Sequence, residues 1–175
     1  SGIECTNNSK ASINGCIITA NQRHGIYAER GFPNVTDCLI TNNLGSGIFC
    51  SNTSPSQWNF PTISNCVISG NTSGFGAGIF IDNLSPIITD CVIADNVGPT
   101  QSSIGAGIYL ASNENAVISG CTITGNSSNR NGGGLYMANS VNTTIANTQF
   151  LDNDADDFGG ALFINNTEMT MTNCT

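Results

Sequence analysis

Apolar residues alternate with polar ones over stretches of only three or four residues, and the same stretches return in order along the chain. The phrase "ISNCVISGN" (63–71) recurs as "ITDCVIADN" (88–96) and "ISGCTITGN" (118–126), each time after a shorter phrase such as "GIFI" or "GIYL". Alternation over so short a distance is typical of half-buried β-strands, and no helical spacing lasts for two turns. Seven copies, 22 to 30 residues apart, predict a solenoid in which each copy forms one coil.

Each coil is predicted to contain three short strands. The glycine-isoleucine-aromatic phrase forms the first, the aliphatic residue that opens the longer phrase lies in the second, and the cysteine-x-isoleucine segment forms the third. A bend before the third strand is predicted at Asp37, Asn65, Asp90, Gly120, Asn147 or Asn173. Parallel strands of successive coils lie about 4.8 Å apart, so equivalent side chains form columns along the axis.

Two of these columns are predicted to point into the coil. The cysteine column contains Cys16, Cys38, Cys66, Cys91, Cys121 and Cys174, and Thr148 interrupts it. The asparagine column lies at a turn and contains Asn21, Asn43, Asn71, Asn96, Asn126 and Asn153. Cysteine suits a narrow apolar interior, and stacked amides can hydrogen-bond to one another along the axis. Neighbouring cysteines could reach disulfide distance, but their spacing follows the repeat and matches no metal-ligand pattern, so we predict reduced, buried thiols.

The repeats contain motifs that point to known β-helix families. "GGAL" occurs at 159–162 and "FLDN" at 150–153, with the variants "GGGL" at 132–135 and "IADN" at 93–96. On these motifs the chain resembles right-handed parallel β-helices of the pectate-lyase-like superfamily. Its repeat motifs are similar to those of bacterial surface proteins, among them autotransporter passengers and polymorphic outer-membrane proteins. The resemblance implies an all-β, right-handed parallel β-helix of about seven coils.

Neither end of the sequence shows a polar cap or an amphipathic helix, which solenoids use to shield their terminal coils. We therefore interpret residues 1–175 as a single β-helix domain or as a fragment of a longer β-helix. The predicted partners are the rest of a longer chain or a second copy that stacks end to end.

Charge excludes several classes of partner. The net charge is −8, and the only basic residues are Lys10, Arg23, Arg30 and Arg130. Nucleic acids and anionic membranes are bound by clustered lysine and arginine, so neither is expected as a partner. No apolar run approaches the length of a membrane span, and no membrane insertion is predicted. We expect a secreted or cell-surface location.

Candidate ligand-binding residues lie in the loops. The excursion at 51–61 contains Trp58, the only tryptophan, beside Phe60, and a later loop carries Arg130. We expect one flank of the β-helix to be decorated by such loops, with polysaccharide as a possible ligand. An outward aromatic stripe could stack on sugar rings, contact a partner or be covered by a loop, and it consists of Tyr27, Phe49, Phe80, Tyr109, Tyr136 and Phe163.

An acidic loop at 151–160 is a candidate Ca²⁺ site, with Asp152, Asp154, Asp156 and Asp157 as possible ligands. The spacing begins like that of a calcium loop, but Asp157 occupies the place of the turn glycine and no glutamate closes the site. A solvated acidic loop is the alternative. Asp157 and Arg130 are predicted to face each other across one coil as a surface ion pair.

The pair "RHG" (23–25) and "DD" (156–157) is similar to catalytic elements of polygalacturonases. Here the two elements lie five coils apart, about 24 Å, which is too far for one acid–base pair. We therefore interpret His24 as a surface residue.

Two functional hypotheses follow. The first is a non-catalytic extracellular or cell-surface segment that serves as a stalk, an adhesin passenger or a fibre-forming subunit. The alternative is a carbohydrate-binding or carbohydrate-active β-helix that uses the loop-decorated flank. The shortage of basic and histidine side chains favours the first.

Overall fold

A computed structural model describes residues 1–53 and 60–175 of the chain. Within those ranges the chain forms β-strands and no helix, so no described helix could cross a membrane. The strands belong to four sheets, three long and one short.

The strands of the three long sheets are three or four residues long. Sheet A contains β1 (Ile3–Thr6), β4 (Ile26–Glu29), β7 (Ile48–Ser51), β10 (Ile79–Asp82), β14 (Ile108–Ala111), β18 (Leu135–Ala138) and β22 (Leu162–Asn165). Sheet B contains β2 (Ser12–Asn14), β5 (Asn34–Thr36), β8 (Thr62–Ser64), β11 (Ile87–Thr89), β15 (Val117–Ser119), β19 (Thr143–Ala146) and β23 (Met169–Thr172). Sheet C contains β3 (Ile17–Thr19), β6 (Leu39–Thr41), β9 (Val67–Ser69), β12 (Val92–Ala94), β16 (Thr122–Thr124) and β20 (Gln149–Leu151).

Each coil passes through sheets A, B and C in turn and then returns to sheet A. Every neighbouring pair is parallel and in register, so that Ile79 lies between Ile48 and Ile108. This arrangement is a parallel β-solenoid. The structure confirms the predicted β-helix and its three strands per coil.

A fourth, short sheet was not predicted from the sequence. Sheet D consists of β13 (Val97–Gly98), β17 (Ser127–Ser128) and β21 (Asp154–Ala155), which lie between sheets C and A in the later coils. The later coils have more residues between the asparagine column and the next glycine phrase than the first two. That extra length lets adjacent connections pair with each other, so part of the predicted loop is ordered strand.

The core is a set of stacked isoleucines. The central residue of each sheet C strand points inward, and Ile40, Ile68, Ile93 and Ile123 are fully buried. Burying one such side chain is worth about 1.5–3 kcal/mol. One coil alone would leave these residues exposed on both sides, so the stability of each coil depends on its neighbours.

Tight corners are made by residues with a left-handed backbone. All six predicted bend residues have positive φ, from 50° at Asn147 to 66° at Gly120. Glycine, asparagine and aspartate adopt this conformation at the lowest cost, which explains why they recur at the corner. A second corner after sheet C uses the same chemistry in most coils, with Asn42, Asp95 and Gly125 as examples.

A column of glycines brings sheet A close to the asparagine column. A Cβ on Gly107 would lie 2.4 Å from the carbonyl oxygen of Gly134 in the next coil and 3.0 Å from Nδ2 of Asn126. Gly47, Gly78 and Gly134 are equally confined. Glycine is needed here because of the close approach between coils.

We expect Gly107→Ala to lower the free energy of unfolding by about 1–3 kcal/mol, because the added methyl overpacks a rigid backbone contact. Gly74→Ala is the matched control, since its Cβ would meet only Thr100 Oγ1, at 3.8 Å. The control should stay within about 1 kcal/mol of the parent. Urea unfolding of the three proteins measures both effects, and equal losses in the two variants would contradict the close-approach argument.

Candidate functional site

The asparagine column is a continuous amide ladder inside the turn that follows sheet C. Nδ2 of each asparagine donates to Oδ1 of the asparagine in the next coil at 2.8–3.0 Å, over all five steps from Asn21 to Asn153. Each accepting Oδ1 also receives the backbone N–H of the preceding asparagine at 3.0–3.1 Å. Nδ2 of Asn96 donates in addition to the carbonyl of Ile68 at 3.0 Å.

These bonds use the hydrogen-bonding capacity of the buried amides. Asn43, Asn71, Asn96 and Asn126 are fully buried, so an amide that lost its partners would cost about 1–3 kcal/mol. The ladder holds the coils together and leaves little for a ligand to bind.

The cysteine column repeats one hydrogen-bonding pattern in every coil. Each thiol donates to the carbonyl two residues earlier, as Cys66 does to Ser64 at 3.2 Å and Cys91 to Thr89 at 3.1 Å. Thr148 occupies the same place with a hydroxyl that donates to Ala146 at 3.0 Å and accepts the N–H of Cys121 at 3.4 Å. Threonine thus replaces cysteine in the column without leaving its polar atom unpaired.

The structure places all eight cysteines as free thiols. Burial raises the pKa of Cys50 to about 12. In the column, the neighbouring thiols of Cys121 and Cys66, together with burial, raise the pKa of Cys91. Because Cys66 and Cys91 are each about 1% exposed, neither is accessible to a reagent in the folded chain.

The predicted aromatic stripe is a ladder of stacked rings on the outer face of sheet A. Neighbouring centroids are 4.5–5.3 Å apart and the ring planes differ by 1–15° from Tyr27 to Phe163. Parallel rings this close are offset-stacked, so each interior ring has both faces against other rings. The ladder presents ring edges to solvent, which does not suit the face-on stacking on sugars that the sequence allowed.

His24 packs beside the first two rings of this ladder, a contact that the sequence did not indicate. Its imidazole lies 4.9 Å from the ring of Phe49 and 5.6 Å from that of Tyr27, and its Nδ1 accepts the backbone N–H of Ser46 at 3.0 Å. His24 is half-buried: it lies at the surface, but its ring is packed against the ladder. Burial, with smaller contributions from Arg23 and the amino terminus, lowers the pKa of His24 below 6.5.

A second column of side chains lies beside the ladder, along the connection from sheet C to sheet A. Isolated bridges join Phe75 to Ile104, Ile104 to Asn131 and Asn131 to Phe158. Phe75 is 45% exposed and Phe158 is 66% exposed, and Phe75 meets Tyr109 edge-on at 6.0 Å. These two phenylalanines were not predicted from the sequence, although each lies four residues before the apolar residue that opens a sheet A strand.

The candidate ligand-binding residues do not share one flank. Trp58 lies outside the described residues. Phe60 is 51% exposed in the connection from sheet A to sheet B, whereas Arg130 lies between sheets D and A. These connections lie at opposite ends of the sheet A strands, so the expectation of a single decorated flank is wrong. Loop length alone did not distinguish these two connections, although their places in the repeat do.

The acidic loop stays spread out along the surface. Asp152 follows sheet C with a left-handed backbone, Asp154 lies in β21, and Asp157 faces Arg130 at 3.9 Å between Oδ2 and Nε. Both partners of that pair are more than half exposed, so it contributes little to stability. Within the described ranges, no three His, Cys, Asp or Glu side chains are placed to hold a metal ion. Calcium binding by Asp152, Asp154, Asp156 and Asp157 stays a prediction.

Comparison with known families defines the class of the protein. The fold and its columns are those of a parallel β-helix repeat protein. The family model described as "Right handed beta helix region" matches residues 1–86 and 63–175, which together span the chain, and the chain belongs to this family. No curated protein and no solved structure gives a significant match. The match supports a structural or carbohydrate-related repeat protein, and it does not extend to the autotransporter or polymorphic outer-membrane families.

We expect the stability of the protein to fall as pH decreases below about 6.5, the ordinary pKa of histidine. In the unfolded chain His24 takes up a proton near that pH, whereas in the folded chain its pKa is lower and protonation would break the bond from Ser46. The unfolded state therefore binds more protons in this window, and acidification favours unfolding.

Two measurements check this expectation. The chain contains one histidine, so an NMR titration of its ring protons gives the folded pKa directly. Thermal melts from neutral pH down to the folded pKa should show a falling melting temperature in the parent. The melting temperature should depend less on pH in His24→Phe, which keeps an aromatic ring at this position. A folded pKa at or above 6.5 would contradict the half-buried, neutral histidine.

Proposed function

We propose that the chain is a non-catalytic structural segment of a secreted or cell-surface assembly, acting as a stalk, an adhesin passenger or a fibre-forming subunit. The amide ladder from Asn21 to Asn153 is the observation that carries this proposal. It joins neighbouring coils through side-chain bonds in addition to the backbone ladders, as a rigid spacer requires.

The other repeated side chains support the same role. The buried cysteines bond to carbonyls of their own or the preceding coil, and the aromatic rings pack on one another. The one ion pair found in the described ranges is exposed. A scaffold needs such a regular surface, whereas acid–base catalysis needs perturbed groups that converge.

Self-assembly would proceed through the outer strands of the first and last coils. Ile164 in β22 and Met171 in β23 occupy inward positions, yet each is 42% exposed. β22 and β23 are the outer strands of sheets A and B, so the backbone groups on one side of each are free to pair with another strand. Another coil placed on this end would bury both side chains and extend the backbone ladders.

We expect the mass of the protein in solution to increase with concentration, as measured by size-exclusion chromatography with light scattering. Ile164→Asp should prevent the increase, because it places a carboxylate on the stacking end. Val92→Asp is the matched control, since Val92 is 39% exposed but lies on the outer face of sheet C between two neighbouring strands. Repeating the series with Ca²⁺ and with a chelator tests whether the acidic loop takes part.

If the protein stays monomeric at every concentration, the role of fibre-forming subunit is excluded. Release of new reducing or unsaturated ends from a panel of polysaccharides would contradict the non-catalytic role altogether.

A second candidate is binding of an uncharged polysaccharide along the connection from sheet C to sheet A. The observation in its favour is the pair of exposed rings, Phe75 and Phe158, in one column with Ile104 and Asn131 between them. Phe158 is not among the stacked rings, so its faces are available to a sugar. Arg130, one residue before Asn131, adds donors for hydroxyl groups.

For this candidate, Phe158→Ala should weaken binding to a retained polysaccharide by roughly three- to tenfold, the effect of one aromatic contact. Leu44→Ala is the control, because Leu44 is a 61% exposed apolar residue on the same type of connection in an early coil. Affinity electrophoresis against neutral polysaccharides, with Trp58→Ala as a further variant, measures the losses. Equal binding by parent and Phe158→Ala would exclude this surface.

A further inference from the structure

One pair of neighbouring thiols combines proximity with access. Asn14 pairs with Thr36 and Ile17 with Leu39, so Cys16 and Cys38, which lie between these pairs, are aligned on adjacent coils. Cα atoms of adjacent parallel strands lie about 4.8 Å apart, inside the range of about 4.4–6.8 Å that disulfides span. Sγ of Cys38 lies 3.5 Å from the backbone nitrogen of Cys16.

The two thiols differ in exposure. Cys16 is partly exposed, while Cys38 is 3% exposed. In the unstacked chain a reagent in solution therefore meets Cys16 first. A coil stacked on the first coil would cover this thiol, so the pair is open to oxidation only before assembly.

The molecule also contains a partly exposed thiol that lacks a thiol neighbour. Cys174 is partly exposed like Cys16, but Ala146 pairs with Thr172, which places Thr148 beside it. Cys5 and Cys50 are kept apart by Ala28, which pairs with both. Of the two partly exposed cysteines, only Cys16 has a thiol on the adjacent coil within the described part of the chain.

We propose that Cys16 and Cys38 are a disulfide-forming pair, in which Cys16 reacts with a small organic disulfide and Cys38 resolves the product. In the first step the Cys16 thiolate attacks one sulfur of the small disulfide, forms a mixed disulfide and releases one small thiolate. In the second, the Cys38 thiol loses its proton to solvent, and its sulfur attacks Sγ of Cys16 and releases the second thiolate. Two protein thiols are oxidised, and one small disulfide is reduced to two thiols.

The second step depends on pH. Burial raises the pKa of Cys38, so its thiol is protonated at neutral pH and becomes a better nucleophile as pH rises. The mixed disulfide at Cys16 should therefore be longer-lived at low pH. The final bond closes a loop between residues 22 apart and links the first two coils covalently.

The test is incubation of the native chain with oxidised glutathione, followed by acid quenching, alkylation of free thiols, proteolysis and mass mapping. In the parent we expect a Cys16–Cys38 cystine and a lasting glutathione adduct at Cys174. In Cys38→Thr we expect a lasting adduct at Cys16 as well. Threonine already fills this place in the column at Thr148, so this variant has a precedent for folding.

The converse variant, Thr148→Cys, gives Cys174 a thiol neighbour and should convert its adduct into a second cystine. The proposal is overturned if Cys16 of the parent keeps its adduct as Cys174 does. It is also overturned if a Cys16–Cys38 cystine forms only under denaturant, because the folded geometry would then play no part. Circular dichroism checks the fold of each variant, and Thr148→Cys is decisive on its own if Cys38→Thr does not fold.

Discussion

The rest of the structure depends on stacking of parallel strands in register, about 4.8 Å apart. Under this constraint every side chain lies directly above its equivalent in the neighbouring coil, so a buried residue must pack against residues of similar size and polarity. Isoleucine, asparagine, cysteine and flat aromatic rings all meet this condition by different means. Charged residues do not, because like charges would lie one above another in the column, which explains why only 9% of the residues are charged.

The same constraint limits what the protein can do. A side chain bonded to its neighbours above and below has little capacity left for a ligand, and the amides of Asn71 and Asn96 show this most clearly. Ligand binding and covalent reactions are therefore expected at positions where a column is interrupted or exposed, or where the coil length changes. In this chain those positions are the connections that carry Phe158 and Arg130, and the partly exposed thiol of Cys16.

Much of the fold could be predicted from the sequence because periodicity reports which residues point inward. The bends at Asp37 and Asn65 and both inward columns follow from spacing and from the backbone preferences of asparagine, aspartate and glycine. The mistaken single flank came from loop length alone. The excursion at 51–61 follows a sheet A strand and Arg130 follows the asparagine column, so the strand order of the repeat already separates them. Sheet D could not be predicted, because strands of two residues are too short to show an alternation of apolar and polar residues.

The columns also show why the role of a residue depends on its position as much as on its type. Thr148 and the cysteines make the same bond to a carbonyl two residues earlier, so packing and hydrogen bonding do not distinguish a thiol from a hydroxyl there. Burial leaves the interior thiols equally inert. At the partly exposed positions of the column, however, a thiol and a hydroxyl differ in reactivity, because a thiol can exchange with a disulfide and a hydroxyl cannot. Cys16 beside Cys38 and Cys174 beside Thr148 are therefore alike in packing and opposite in redox chemistry.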